Sequence, residues 1–188
     1  MDSMKPDLYG PIHKGLRWLA FDMLKLAGSL DWADEGGLAR WRSEGEPVLD
    51  QLLLHAVVED QILHPVLERV SPGITAPFAA AHKARGREFA EARALVAEIM
   101  GPGCPPDLRR TLGARLYGLL CTEVAMDLEH LAQEEAELAP VLLRSQSAEE
   151  LRTLAARADR LATLSQSALL AAATLIACTP AERERTAA

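Results

Sequence analysis

A motif repeated after 75 residues constrains this chain more than any other feature of its sequence. The segment HAVVEDQILHPVL begins at His55, and the segment HLAQEEAELAPVL begins at His130. Six positions carry the same residue at the same offset in both segments, so that His55 and Glu59 correspond to His130 and Glu134. Four residues advance an α-helix by about 400°, which places the histidine and the glutamate of each copy on one helical face.

The repeat extends to a second kind of segment, because HKGLR at His13 resembles HKARG at His82. Each half of the chain therefore supplies one histidine and, 42 or 48 residues later, His-x3-Glu. Buried imidazoles and carboxylates are costly unless they are hydrogen-bonded, paired or metal-bound. Nitrogen and oxygen ligands of this kind suit iron, manganese or zinc, and two carboxylates from different helices can bridge a pair of ions. The candidate ligands are His13, His55, Glu59, His82, His130 and Glu134.

Composition and turn signals predict an all-α protein. Apolar residues make up 49% of the chain but aromatic residues only 4%, and alanine and leucine, which favour helices, dominate. The segments DWADEGG, SPG and GPGCPP separate predicted helices at about residues 8–29, 38–70, 75–100 and 107–144. Long helices with short connections predict an antiparallel four-helix bundle within residues 1–144. Residues 145–188 are predicted to form a C-terminal helical extension, which a capping box at Ser147 and Glu150 opens.

Charge and cysteine usage exclude several classes of protein. The net charge of −7 and the lack of a lysine- or arginine-rich run argue against a nucleic-acid partner. Cys104, Cys121 and Cys178 show no paired spacing, which favours a reducing compartment. The N-terminal residues are polar and do not resemble a signal peptide. We therefore expect a cytoplasmic protein.

An uncharged stretch from Leu161 to Pro180 tests this expectation. A membrane span needs about 20 mostly apolar residues, and serine, threonine and glutamine dilute the first half of this stretch. We expect no membrane insertion. The stretch is instead predicted to be a helix that packs on the bundle, or on a second subunit in a homodimer, through four apolar side chains: Leu169, Leu170, Leu175 and Ile176.

Several polar residues near the motifs have other predicted roles. His64 lies about half a turn around the helix axis from His55. It is predicted to face away from the cluster, at the surface or an interface. Asp60 and Glu135 point about 140° away from the directions of His55 and His130. They are expected to be solvated or hydrogen-bonded to the ligands. Tyr9 could donate a hydrogen bond to an oxygen species at the metal or could only pack at the bundle end. Glu123 is predicted to form a surface ion pair, with an access route as the alternative.

The pattern H…HxxxE…H…HxxxE over residues 8–144 resembles that of the hemerythrin-like, or HHE cation-binding, family. This resemblance implies an up-down-up-down four-helix bundle with a non-haem di-iron centre, in which an oxo or hydroxo group also bridges the ions. Zinc or manganese could substitute for iron. The implied ligands are two histidines for each iron and two bridging glutamates: His13 and His55 for one iron, His82 and His130 for the other, and Glu59 and Glu134 between them.

The chain departs from the oxygen-carrying members of that family at one point. Their third helix supplies two histidines four residues apart, whereas Phe78 and Gly86 stand at these distances from His82. One ligand fewer leaves a coordination position open, which favours binding or sensing of O2, NO or iron, or a reaction with O2 or peroxide. The alternative is an enzyme for peroxide detoxification or iron-centre repair, although the repair proteins carry an N-terminal cysteine segment that is not seen here. A second alternative is a metal-free helical interaction protein.

Overall fold

The computed structural model describes residues 5–187, and all regular secondary structure in that range is helical. This confirms the all-helical prediction. The α-helices are α1 (Gly10–Ser29), α2 (Glu35–Arg40), α3 (Glu46–Val58), α4 (His64–Val70), α5 (Ala76–Ile99), α6 (Pro106–Ser145), α7 (Ala148–Asp159), α8 (Leu164–Ala177) and α9 (Pro180–Ala187). Two π-helical turns, Trp41–Gly45 and Glu59–Leu63, connect α2 to α3 and α3 to α4.

The predicted helix boundaries agree with α1, α5 and α6 to within two residues at each end. The predicted capping box is also present, since the Ser147 side chain accepts from the Glu150 backbone and the Glu150 side chain accepts from the Ser147 backbone. The second predicted helix, at about residues 38–70, is not a single α-helix in the structure. It is one helical path that the two π-helical turns divide into α2, α3 and α4.

The two π-helical turns have a common sequence feature. Pro47 and Pro65 each stand two residues after the end of one of them. A proline inside an α-helix lacks an N–H donor, and its ring crowds the carbonyl four residues earlier. The wider turn relieves this crowding: the backbone N–H of His64 donates to the carbonyl of Glu59, five residues before it. Turns of this kind are frequent at functional sites.

Helix packing produces two separate apolar cores. Helix α1 packs against α6 and α8, α5 packs along α6, and α3 contacts α1, α5 and α8. The first core includes Leu16, Trp41, Leu52, Phe89 and Leu116. The second core includes Tyr9, Leu67, Phe78, Leu138 and Leu151.

The candidate ligands lie between the two cores. Along α1 and α5, a residue of the second core comes first, then the motif histidine, then residues of the first core. Along the α3–α4 path and along α6 the order is reversed. Every one of these four helical paths thus passes from one apolar core to the other through the polar residues of the motifs. The fold therefore places the polar cluster at the junction of the two cores.

The C-terminal extension packs on the rest of the chain through α8. Leu169 and Leu170 pack against the first core, as predicted. A Cβ atom added at Gly15 of α1 would lie 2.6 Å from Oγ1 of Thr174, so the missing side chain lets α1 and α8 approach closely. Leu175 and Ile176 are 55% and 59% exposed, so solvent faces more than half of each of these two side chains. Within residues 5–187, no helix combines the length and apolar character that a bilayer crossing requires.

Candidate metal centre

The six motif residues meet in the folded chain, and none of them is more than 7% exposed. Their donor atoms fall into two groups of four, and within each group all donor atoms lie within 4.8 Å of one another. Both groups contain the two glutamates, and each adds one pair of histidines. The first group is His13, His55, Glu59 and Glu134, and the second is Glu59, His82, His130 and Glu134.

The carboxylate of Glu59 faces both histidine pairs. Its Oε1 lies 3.7 Å from Nε2 of His13 and 3.4 Å from Nε2 of His55. Its Oε2 lies 3.3 Å from Nε2 of His82. One oxygen is thus directed to each group of donors.

The carboxylate of Glu134 repeats this arrangement from α6. Its Oε1 lies 2.9 Å from Nε2 of His130 and 3.5 Å from Nε2 of His82. Its Oε2 lies 3.7 Å from Nε2 of His13. Each of the two carboxylates thus presents one oxygen to each histidine pair, and both glutamates belong to both groups of donors.

The donor set fits a metal ion. The Nε2 atoms of His13 and His55 and all four carboxylate oxygens of Glu59 and Glu134 are buried without a hydrogen-bond partner among the described residues. Leaving buried polar atoms unpaired is costly, and ligation would satisfy them. The Nε2 atoms of His82 and His130 are 2.8 Å apart. Two nitrogens at about 2.1 Å from one ion and at right angles to each other would be about 3 Å apart.

Protons on His13 and His82 balance the negative charge of the buried carboxylates. Burial acts to lower the pKa of His13, but the contact with Glu135 and the nearby carboxylates of Glu59 and Glu134 raise it to about 9. Burial also acts against the charged form of His82, but the nearby carboxylates of Glu134, Glu59 and Asp60 raise its pKa to about 10. His55 is different, because burial lowers its pKa to about 4. Metal cations at this place would displace the protons and take over their role.

Two acidic residues contact the Nδ1 atoms of two motif histidines and orient their rings. Oε1 of Glu135 lies 3.2 Å from Nδ1 of His13, and Nη1 of Arg17 donates to the same oxygen at 2.7 Å. In the other half, Oδ1 of Asp60 lies 2.9 Å from Nδ1 of His82. Each of these residues directly follows a motif glutamate, and each holds the histidine of the opposite half. A carboxylate on the second ring nitrogen fixes the orientation of a ligating histidine and raises its basicity.

The prediction for His64 was wrong. The side chain is buried, its ring stacks on the ring of His82 with centroids 5.5 Å apart, and its Nδ1 lies 2.9 Å from Oδ1 of Asp60. The prediction assumed an uninterrupted α-helix between His55 and His64. The π-helical turn at Glu59–Leu63 advances less per residue, so His64 turns back toward the cluster.

The prediction of a surface ion pair for Glu123 was also wrong. This side chain is 2% exposed, and both of its carboxylate oxygens lack a hydrogen-bond partner among the described residues. Next to it, the buried guanidinium of Arg85 donates to Oδ1 of Asp127. Sequence reasoning missed Arg85 and Asp127, although each stands three residues from a motif histidine, on a stripe that is otherwise apolar.

Glu123→Gln should increase the stability of the protein at high pH. Burial and the charge of Glu88 raise the pKa of Glu123 from 4.5 to about 7. The native state therefore holds a proton that the unfolded state releases, and stability falls as pH rises from about 4.5 through about 7. Glutamine mimics the protonated carboxyl and removes this loss. We expect the variant to gain about 2–3 kcal/mol over the parent between about pH 5 and about pH 8.

Urea unfolding at the two pH values would measure this gain. Glu129 is an exposed residue of the same helix, so Glu129→Gln removes an equal charge and serves as the control. A gain that is the same at both pH values, or the same in both variants, would contradict the raised pKa of Glu123.

Comparison of the chain with models of protein families, with curated protein sequences and with solved structures found no match. The function of the chain is therefore inferred from the geometry of the six motif residues and their neighbours.

Proposed function

We propose that this chain is a hemerythrin-like protein, an up-down-up-down four-helix bundle that holds a non-haem di-iron centre and binds or senses O2, NO or peroxide there. The proposed ligands are the six motif residues, with two histidines for each iron and two bridging carboxylates: His13, His55, Glu59, His82, His130 and Glu134.

The observation that carries this proposal is the placement of the two carboxylates. Oε1 and Oε2 of Glu59 face different histidine pairs, and so do Oε1 and Oε2 of Glu134. A pair of ions bridged by both carboxylates would account for this placement, because each ion would then face one oxygen of each carboxylate and one histidine pair. The two groups of four donors that share both glutamates support the same conclusion.

The order of the two apolar cores supports the bundle. Helices α1 and α5 pass from the second core to the first, whereas the α3–α4 path and α6 pass from the first to the second. Successive long helices that alternate in this way would run antiparallel to one another. In bundles of this kind, metal sites are built from side chains that project inward from facing helices.

Iron at this place would supply redox chemistry toward O2, NO or peroxide. Phe78, which cannot ligate a metal, stands one turn before His82, with its ring 5.8 Å from the ring of His130. Helix α5 therefore supplies one histidine to the proposed centre, and a coordination position would stay open for such ligands. Tyr9 supplies a hydrogen-bond donor nearby, because its hydroxyl is buried without a partner among the described residues. Burial raises the pKa of Tyr9 well above its usual value, and the charges of Glu59 and Glu134 raise it further. This hydroxyl therefore keeps its proton and can donate it in a hydrogen bond.

Metal content and ligand reactivity test the proposal together. Protein produced in iron-supplemented medium should contain about two iron ions per chain. The anaerobically reduced protein, mixed with NO, O2 or peroxide in a stopped-flow instrument, should change its near-ultraviolet and visible absorption with at least one of them. Tyr9→Phe should change the rate or the spectrum of that reaction without changing the metal content.

Other outcomes distinguish the alternatives. Repeated turnover of peroxide would identify an enzyme rather than a binding protein. Spectra that do not respond to any of the three ligands would leave iron storage or iron sensing. A folded chain that takes up no metal under any loading condition would contradict the proposal and favour a helical interaction protein.

A further inference from the structure

The C-terminal extension encloses a cavity against the helices that carry the candidate metal centre. The cavity has a volume of about 490 Å³, and we call it the C-terminal cavity. Helices α7 and α8 form one wall, while α1, α3 and the π-helical turn at Glu59–Leu63 form the other. His55 and Glu59 belong to the second wall, so the cavity borders the centre directly.

The size and lining of the C-terminal cavity are those of a small-molecule site. Pockets for small ligands have volumes of about 300–1,000 Å³ and are lined mainly by apolar side chains with a few polar groups. Here leucine, alanine and valine side chains form most of the surface, among them Leu54, Val58, Leu154, Ala158 and Leu170. A diatomic ligand or peroxide would fill only a small part of this volume. The cavity is therefore suited to a larger, mainly hydrocarbon molecule.

Two buried polar side chains in the lining have no partner. Gln51 of α3 is 3% exposed and its Oε1 lacks a hydrogen-bond donor, while Thr174 of α8 is 8% exposed and its Oγ1 lacks a partner, among the described residues. Unpaired buried polar atoms are rare in folded proteins, and a bound ligand or ordered water is the usual explanation. An amide oxygen accepts a hydrogen bond, and a threonine hydroxyl both donates and accepts. Oγ1 of Thr174 lies close to Gly15 of α1, so Gln51 is the side chain that a ligand hydroxyl group would satisfy.

The charges around the C-terminal cavity favour an uncharged ligand. Glu59 lies in the lining near the centre, and Asp7 and Asp159 also line the cavity. One cation, Arg183, is in the lining as well, and its Nε already donates to the carbonyl of Cys178. The acidic residues outnumber this cation and disfavour an anionic group, while the apolar walls offer nothing that would hold an ammonium group in place.

We propose that the C-terminal cavity binds an uncharged small molecule with a hydrocarbon body and a hydroxyl group, of the class of medium-chain primary alcohols. The hydroxyl donates to the amide oxygen of Gln51, and the hydrocarbon body fills the space between α3 and the extension. The ligand lies beside His55 and Glu59. The binding itself does not require metal, so it is measurable whether or not the proposed function holds.

The uncharged fluorophore N-phenyl-1-naphthylamine is a suitable probe, since it is apolar and carries one N–H group. Titrated into metal-free protein, it should show saturable fluorescence enhancement with a Kd of about 1–50 µM. 1-Decanol should displace it, and decanoate at neutral pH should compete at least about tenfold more weakly because of the acidic lining. The absence of saturable binding, or equal competition by decanol and decanoate, would overturn the proposal.

Two matched pairs of variants locate the probe. Ala158 of α7 and Ala171 of α8 line the cavity, whereas their exposed neighbours Ala156 and Ala172 do not. Ala158→Phe and Ala171→Phe should each weaken probe binding at least about tenfold, whereas Ala156→Phe and Ala172→Phe should leave it within about twofold of the parent. The two positions lie on different helices, so the failure of one variant to fold does not prevent the test. Equal effects within both pairs would place the probe elsewhere and overturn the proposal.

The polar contacts have their own test. The variant Gln51→Leu should bind the probe at least as well as the parent, because it keeps the volume and removes the unpaired amide oxygen. It should lose the preference for 1-decanol over decane as a competitor. A preference that stays unchanged would show that the hydroxyl group does not contact Gln51, and would overturn this part of the proposal.

Discussion

Replacing His55 and His130 by alanine together should reduce the metal content from about two ions per chain to nearly none. The double variant removes one donor from each group, and each group then keeps one histidine and two shared carboxylates. Nε2 of His55 lies 3.4 Å from Oε1 of Glu59, and Nε2 of His130 lies 2.9 Å from Oε1 of Glu134. Each of the two replaced histidines is therefore close enough to share an ion with the glutamate. Elemental analysis after iron loading and desalting measures the loss. The metal-dependent increase in melting temperature should disappear with it.

His64→Ala is the matched control for this experiment. His64 is buried like the motif histidines, its Nδ1 contacts Asp60 and its ring stacks on His82. It is not among the six proposed ligands, although Asp60, His64 and His82 also lie close enough together to hold an ion. We expect this variant to retain about two ions at saturating iron and to lose about 10–100-fold in affinity, as is typical when a partner of a ligating histidine is removed. Full occupancy in the double variant would refute the assignment of the ligands.

Arg85→Leu should destabilise the metal-free protein by about 3–5 kcal/mol near neutral pH. The side chains of Arg85 and Asp127 are only 7% and 3% exposed, so the variant leaves a carboxylate buried without its cation. The charge of Arg85 also acts on Glu123, which loses that interaction as well. Removing one partner of a buried ion pair costs far more than the net contribution of the pair itself. Urea unfolding measures the change.

The chain supplies a matched exposed pair for comparison. Arg93 of α5 pairs with Asp50 of α3, and both side chains are about half exposed. Arg93→Leu should cost less than about 1 kcal/mol, because solvent screens such pairs. The double variant Arg85→Leu and Asp127→Leu should be more stable than Arg85→Leu alone, because it removes the buried unpaired charge. If Arg85→Leu costs no more than Arg93→Leu, the charges of Arg85 and Asp127 are not desolvated in the way that the structure indicates.

Much of the fold and the identity of the candidate ligands could be predicted from the sequence, and the reason is local. Helix boundaries depend on glycine, proline and capping residues, and these are visible in segments such as GPGCPP and at Ser147. The spacing of His55 and Glu59 fixes their common face because both belong to one turn of helix. The same holds for His130 and Glu134. The internal repeat then linked the two halves without any knowledge of their packing.

The predictions failed where the local geometry was not that of an α-helix or where burial depended on distant segments. His64 was misplaced because a π-helical turn precedes Pro65, and hydrophobic periodicity assumes about 100° per residue throughout. Glu123 was expected at the surface, since an isolated glutamate on a helix is usually solvated. Its burial between α5 and α6 follows from the packing of the two helices, which no spacing within α6 encodes.

By itself, the sequence determined that the chain is helical, where α1, α5 and α6 begin and end, and which six side chains share chemistry suited to a metal. These properties depend on residues within a few positions of one another. The tertiary structure alone decided that each carboxylate faces both histidine pairs, that Asp60 and Glu135 hold the histidines of the opposite half, and that α7 and α8 enclose a cavity beside His55. Those contacts join residues far apart in the chain, and their geometry depends on how the helices pack, which local spacing does not fix.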